Sequence, residues 1–257
     1  MPFTPSHAVV ALPFLRTPLV PAAIAIGAMA PDLPLFFRVG ISYGTTHDWL
    51  GMLWTSLPIA LALLVLWRTL IRELVPSLSP RWLRMRWPGD WSQGSRAGWH
   101  SLWSGGVPGG LLLVASLLIG IASHILWDLF THPGRWGSEL LPGLASAWGP
   151  LDGTQWLQYL SSAFGLVVLA IWGGLWLRRR EPVEPPAAAP AWLAPAFWVV
   201  VGLALIVPAI LEYLAHRIPD TGALSQALFR WGTAAGATIL IAGLAASVVA
   251  AVWRSRR

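Results

Sequence analysis

The sequence predicts an all-α, polytopic integral membrane protein, with about five transmembrane helices preceded by a broken, re-entrant N-terminal hairpin. Three observations predict it. Of the 257 residues, 56% are hydrophobic and only 11% charged, where a soluble domain carries about a quarter charged residues. Five apolar stretches reach the roughly 20 residues that a helix needs to cross a bilayer. The first apolar stretch, by contrast, is cut by Pro13, Pro18 and Pro21, too often for one spanning helix.

That N-terminal stretch, "MPFTPSHAVVALPFLRTPLVPAAIAIGAMAPDLPLFF", also carries Arg16 near its middle. Burying an arginine at membrane depth costs roughly 2.5 kcal/mol or more. Two short helices, about His7–Leu15 and Pro21–Ala30, joined at "RTP", avoid that burial and return Asp32 to the level of His7. The alternative is a single kinked span that leaves His7 on the opposite side.

The five spans are expected at about Met52–Leu70, Val107–Leu129, Trp156–Leu177, Ala194–Leu214 and Thr233–Trp253. With no Lys, all 17 basic residues are arginines. Arg68, Arg72, Arg81, Arg84, Arg86 and Arg96 lie between the first two spans. Arg178, Arg179 and Arg180 follow the third, and Arg254, Arg256 and Arg257 close the chain. Placing these in the cytoplasm lets the spans alternate without conflict. A multi-pass protein of the bacterial inner (cytoplasmic) membrane with a cytoplasmic C-terminus is expected. Three regions follow: a membrane core 1–177, a Pro/Ala-rich, extended and mobile linker 178–192, and a two-helix hairpin 193–257.

Composition excludes some classes. Without cysteine there are no disulfides and no thiolate metal sites. The net charge of +6 would suggest nucleic acid only if the arginines formed one soluble patch. They are dispersed, so membrane lipid is the expected partner. The Arg/Trp segment "RWLRMRWPGDWSQGSRAGWHSLW", with His100, reads as an interfacial belt against anionic headgroups. The N-terminus lacks a basic n-region and a small-residue cleavage site, so no removable signal peptide is expected. The sequence specifies no oligomeric state.

The orientation brings chemistry together. His47 and Asp48 stand at the outer end of the first span, and His124, Asp128 and His132 at the outer end of the second. With His7 and Asp32 from the hairpin, they form a candidate cluster at one membrane face. Neutral imidazole and ionised carboxylate together suit zinc, manganese or iron rather than magnesium or calcium. His124 and Asp128, four apart, can offer two ligands from one helical turn. Singly, each element has a plainer reading: a capped helix end, a turn at "APD", a polar cap at "THDWLG". On the residues alone, metal site and capped helix ends stand level.

"MPFTPSHAVVALP", "GAMAPDLPLFFR", "THDWLGMLWTSLPIAL", "SHILWDLFTHPGRWG" and "LQYLSSAFGLVVL" together resemble a bacterial integral-membrane family of unknown function, over about residues 1–177. That family is in turn similar to the membrane-bound metal-dependent hydrolases. The resemblance implies metal ligands at His7, Asp32, His47, His124 and Asp128, holding one or two divalent ions, zinc first among them. Asp48 stands where Ser is usual, and Asp48 and His132 become candidates for proton transfer. The implied activity is hydrolysis of a lipid phosphoester or headgroup at the outer face. Two other classes stay open: a non-enzymatic protein whose cluster is a structural metal or hydrogen-bond node, and a cation transporter.

Three lesser features remain. The loop "GRWGSELLPGLASAWGPLDGTQWLQ" reads as a lid or an interfacial anchor. Gln158, Ser161 and Gly165 share a helix face suited to interhelical packing. Glu212 and His216, four apart, read as an ion pair before a further ligand pair.

Overall fold

A computed structural model describes residues 3–37, 40–185, 189–216 and 221–256, with only the backbone of His216 and Thr221. The side chain of His216, half of the pair with Glu212, therefore lies outside what is described. Five helices are long and apolar enough to cross a membrane. They are Trp49–Leu78 (α2), Gly106–Thr131 (α3), Gly153–Arg178 (α4), Leu193–Ala215 (α5) and Gly222–Ser255 (α6), after the short Pro21–Met29 (α1). This is the predicted all-α, polytopic class.

Two boundaries differ from expectation. Helix α2 runs on past Leu70, because its charged residues are paired where they stand: Arg72 with Asp90 at 3.3 Å and Glu73 with Arg254 at 3.0 Å. Helix α6 begins at Gly222 rather than Thr233. The intervening "ALSQALFRW" carries Ser, Gln and Arg but no Gly or Pro, so hydropathy alone under-reads the helix.

Packing divides the described chain into two compact units. One comprises the chain up to Leu64 together with Leu102–Leu175, the other Val65–Ser101 with the chain from Trp176 onward.

In the first unit the N-terminal hairpin forms. A 3-10 helix over Thr4–Phe14, containing Pro13, is followed by an exposed turn at Arg16 and then α1. In an α-helix the Pro13 ring would press on the carbonyl four residues back, and here the chain winds as a 3-10 helix. The tip keeps Arg16 out of the interior. Thr4 Oγ1 donates to Asp32 Oδ2 at 2.7 Å, so start and end of the hairpin meet and the single kinked span does not occur.

Helix α1 lies unusually close to α3. A Cβ at Gly27 would overlap the Leu117 carbonyl oxygen, and one at Gly120 the Ile24 carbonyl oxygen. Small residues permit such backbone approach between membrane helices. Two polar side chains of α3 reinforce it: Ser116 Oγ accepts the Val20 N–H at 2.9 Å, and His124 Nδ1 donates to the Ala28 carbonyl at 2.8 Å. On α4, Gly165 packs against the Ser6 backbone and Ser162 Oγ accepts the Phe3 N–H at 2.8 Å.

Helix α2 is not uniformly α. Met52–Ser56 and Trp67–Ile71 are π turns. The first contains Trp54, four residues before Pro58, whose missing N–H and bulky ring disturb the Trp54 carbonyl, and a wider turn relieves that clash. After α3 the chain forms a short helix Trp136–Leu140 and a two-residue strand pair, Ala147–Trp148 with Leu151–Asp152, turned by Gly149 at φ 77°.

The second unit is built differently. Leu74, Leu193, Ala246 and Ala250 form its buried core. Trp87 stacks on Trp91 with centroids 4.9 Å apart, and Trp67 meets Trp91 edge-on at 5.4 Å. The described part of the linker makes two contacts. Val183 N–H donates to the Met85 carbonyl at 2.7 Å, and Glu184 pairs with Arg84 at 3.0 Å.

Candidate metal centre

Asp32, His47, His124 and Asp128 each offer one donor atom, and these atoms all lie within 4.8 Å of one another. All four residues are buried. Each arrives on a different local device. Asp32 ends the Ala30–Asp32 turn after α1. His47 follows the short helix Tyr43–Thr46, which is capped by Ser42 and held by Ser56 Oγ donating to the Thr46 carbonyl at 2.8 Å. His124 and Asp128 share one face of α3.

The hydrogen bonds around the cluster set its chemistry. His124 Nδ1 donates to the Ala28 carbonyl at 2.8 Å, and His47 Nδ1 to the Tyr43 carbonyl at 2.9 Å. A carbonyl can only accept, so each Nδ1 carries the hydrogen and each neutral ring presents a bare Nε2. The two Nε2 atoms face each other at 3.1 Å. Asp32 Oδ1 lies 3.6 Å from His47 Nε2 and 3.5 Å from His124 Nε2. Asp128 Oδ2 lies 3.4 and 3.6 Å from the same two atoms.

These separations suit a cation. A tetrahedral ion with ligands at about 2.0–2.2 Å spaces its donors by roughly 3.3–3.6 Å. Facing Nε2 lone pairs repel unless a proton or cation lies between them, and Asp32 Oδ1 is buried with no hydrogen bond. The outward oxygen of Asp32, Oδ2, is answered by Thr4, and Asp128 Oδ2, which itself faces the histidines, also accepts the Tyr43 hydroxyl, each at 2.7 Å. Such outer contacts orient metal ligands and fix their tautomers. A buried Asp/His/His/Asp group that could hold a metal ion is therefore present. Over residues 1–253 the chain matches the family described as Domain of unknown function (DUF4184).

The chain belongs to that family. The match reaches well beyond residue 177, so the last two spans are part of the DUF4184 region and not a looser addition. No curated protein and no solved structure matches the chain.

Three further candidates stand outside the group of four. His7 lies beside His124, its ring tilted and the centroids 4.3 Å apart, and its Nε2 is buried without a hydrogen bond. Burial, and then the neighbouring His124, pull its pKa down to about 4, which keeps it neutral. His132 Nδ1 is 3.5 Å from Asp128 Oδ2, its Nε2 is likewise buried and unpartnered, and burial lowers its pKa. Asp48 is exposed and caps α2, accepting the Leu50 and Gly51 N–H groups at 3.0 and 3.3 Å. Its carboxylate thus serves the helix end. His100 lies exposed on the helix Gly94–Trp103, in the other unit.

Sequence reasoning missed Thr4 and Tyr43. Tyr43 serves twice: its carbonyl takes the His47 Nδ1–H and its hydroxyl holds Asp128. Its ring also stacks on His47 at 3.7 Å. The signal was present, since Tyr43 precedes His47 by one helical turn and Thr4 stands three residues before His7. Gln158, expected on a packing face, donates to the Thr131 carbonyl at the end of α3.

Proposed function

We propose that this protein is a metal-dependent hydrolase acting on a phosphoester or headgroup of membrane lipid at the outer face of the bacterial cytoplasmic membrane. The observation that carries this reading is the pairing of four converging buried donors with separate outer partners: carbonyls for the two histidines, hydroxyls for the two aspartates. Asp32, His47, His124 and Asp128 would hold one divalent ion, with zinc suited to the mixed imidazole–carboxylate set. Such an ion, when bound, acidifies water and polarises a phosphoryl or carbonyl oxygen. The imidazoles of His7 and His132 each hold a buried, unpartnered Nε2 beside the centre, where a ring nitrogen can relay a proton. The distribution of arginines supports the outer location, and the motif resemblance supports the hydrolase class.

One observation favours a second reading. Four protein donors suffice to fill a tetrahedral zinc shell, which is the arrangement of structural sites. A structural metal node would then replace the enzyme.

Elemental analysis after dialysis against a weak chelator tests the metal. Wild-type protein should retain about one equivalent of zinc, the number of ions that four clustered donors can hold. His124→Ala and Asp128→Ala should each lose it, with affinity reduced by more than about 100-fold, while His100→Ala keeps it. Wild-type protein that is folded and metal-free would overturn the reading. Zinc-loaded protein that leaves a panel of phospholipids intact would favour the structural node.

A further inference from the structure

Beside the centre stands a cation that the four donors do not use. After α3 the chain reverses at Pro133–Gly134, where Gly134 has φ 71°, a conformation that favours glycine. Ser138 Oγ then accepts the Arg135 N–H at 3.1 Å and donates to the His132 carbonyl at 2.8 Å. These contacts fix the Arg135 backbone against the end of α3. Its Cζ lies 5.4 Å over the Tyr43 ring, the ring whose hydroxyl holds Asp128 Oδ2.

Arg72, Arg81, Arg84, Arg230 and Arg254 each pair with an acid. Among the described residues, none pairs with Arg135; the Tyr43 ring face supports it instead. An aromatic face leaves the in-plane N–H fork available, and that fork matches phosphate oxygens. Charge points the same way. Two aspartates would balance one divalent ion, so the four-donor group has no charge left over to neutralise the Arg135 guanidinium. The residues that follow, Trp136, Leu140 and Leu141, are 63%, 60% and 50% exposed. Exposed Trp and Leu beside a cation match the headgroup layer of a bilayer.

We infer that Arg135 binds the phosphate of a phospholipid headgroup beside the centre. This names the substrate class of the proposed hydrolase and rests on that reading. Arg135 acts in recognition: it orients an anionic headgroup, while the four-donor group is left to the ion.

The experiment uses the full chain in phosphate-free maltoside detergent micelles, zinc-loaded, with calorimetric titration of two probes, short-chain phosphatidic acid and inorganic phosphate. Wild-type protein should bind the lipid. Arg135→Gln should weaken that binding by about tenfold or more, the worth of a charge-assisted hydrogen bond, and Arg135→Lys should recover part of it. Zinc content should be equal in all three proteins, which also reports that the variants fold. Unchanged lipid affinity in Arg135→Gln, or a wild type that binds neither probe, overturns the inference. Inorganic phosphate binding as tightly as the lipid, and equally dependent on Arg135, overturns its lipid part. A wild type without zinc that keeps an Arg135-dependent lipid affinity removes the hydrolase reading and leaves this one standing.

Discussion

Both compact units hold charged groups, but they satisfy them differently. In the second unit acid meets base: Arg72 with Asp90, Arg254 with Glu73, Arg84 with Glu184, Arg230 with Glu212. Some guanidinium Nε atoms there lack a hydrogen bond, as at Arg68, Arg72 and Arg84. Each of those guanidinium groups still bonds through its other nitrogens to Ser101, Asp90 or Glu184. In the first unit two aspartates meet two histidines whose Nε2 atoms face inward. Pairs that neutralise themselves hold helices together. Donors that converge without a countercharge among them call for an added cation, because buried like groups are tolerated only when something opposite offsets them.

The largest effect that would sharpen this contrast is at Tyr43. Removing its hydroxyl in Tyr43→Phe leaves Asp128 Oδ2 unheld, and zinc affinity should fall by about 10–100-fold, as for other outer-contact losses. A chelator competition measures it. Unchanged affinity would mean that the outer contacts only pack.

Acid should act more gently, and its sign follows from His47. Burial alone would lower the pKa of this ring, but hydrogen bonds with the Asp128 and Asp32 carboxylates raise it above the ordinary 6.5. Protons therefore compete for Nε2 already above pH 6.5 in the ion-free protein. Zinc affinity should fall as pH drops through neutrality, by up to about tenfold per pH unit for each proton displaced. Competition titrations across that range check this, and an onset only well below 6.5 would contradict it.

The smallest effect on the centre should come from the second unit. Arg254→Gln leaves Glu73 buried without its strongest partner, and breaking such a pair costs roughly 3 kcal/mol. Thermal unfolding in detergent should move down while zinc stoichiometry stays the same. A loss of zinc in this variant would erase the distinction between the two units.

Much of the architecture was legible because it depends on composition along the chain. Apolar runs of bilayer length must be helical, since lipid offers no partner for unpaired backbone. Pro13, Pro18, Pro21 and Arg16 likewise ruled out a plain first span, and the hairpin followed. Residue type alone placed Asp32, His47, His124 and Asp128, together with His7, among the candidates, because ionisable groups at the ends of apolar helices need a reason to be there. What the sequence left open depends on the close approach of segments far apart in the chain. Gly27 against Leu117 and Gly120 against Ile24 bring α1 near enough for Ala28 to fix the His124 tautomer. That approach, with the placement of Thr4 and Tyr43, decides which oxygen and nitrogen atoms face inward. It also sets His7 beside the four donors and turns Asp48 into a helix cap. Spacing along a chain specifies a face of a helix, whereas hydrogen-bond direction is a matter of ångströms between elements, and only the packed structure supplies those.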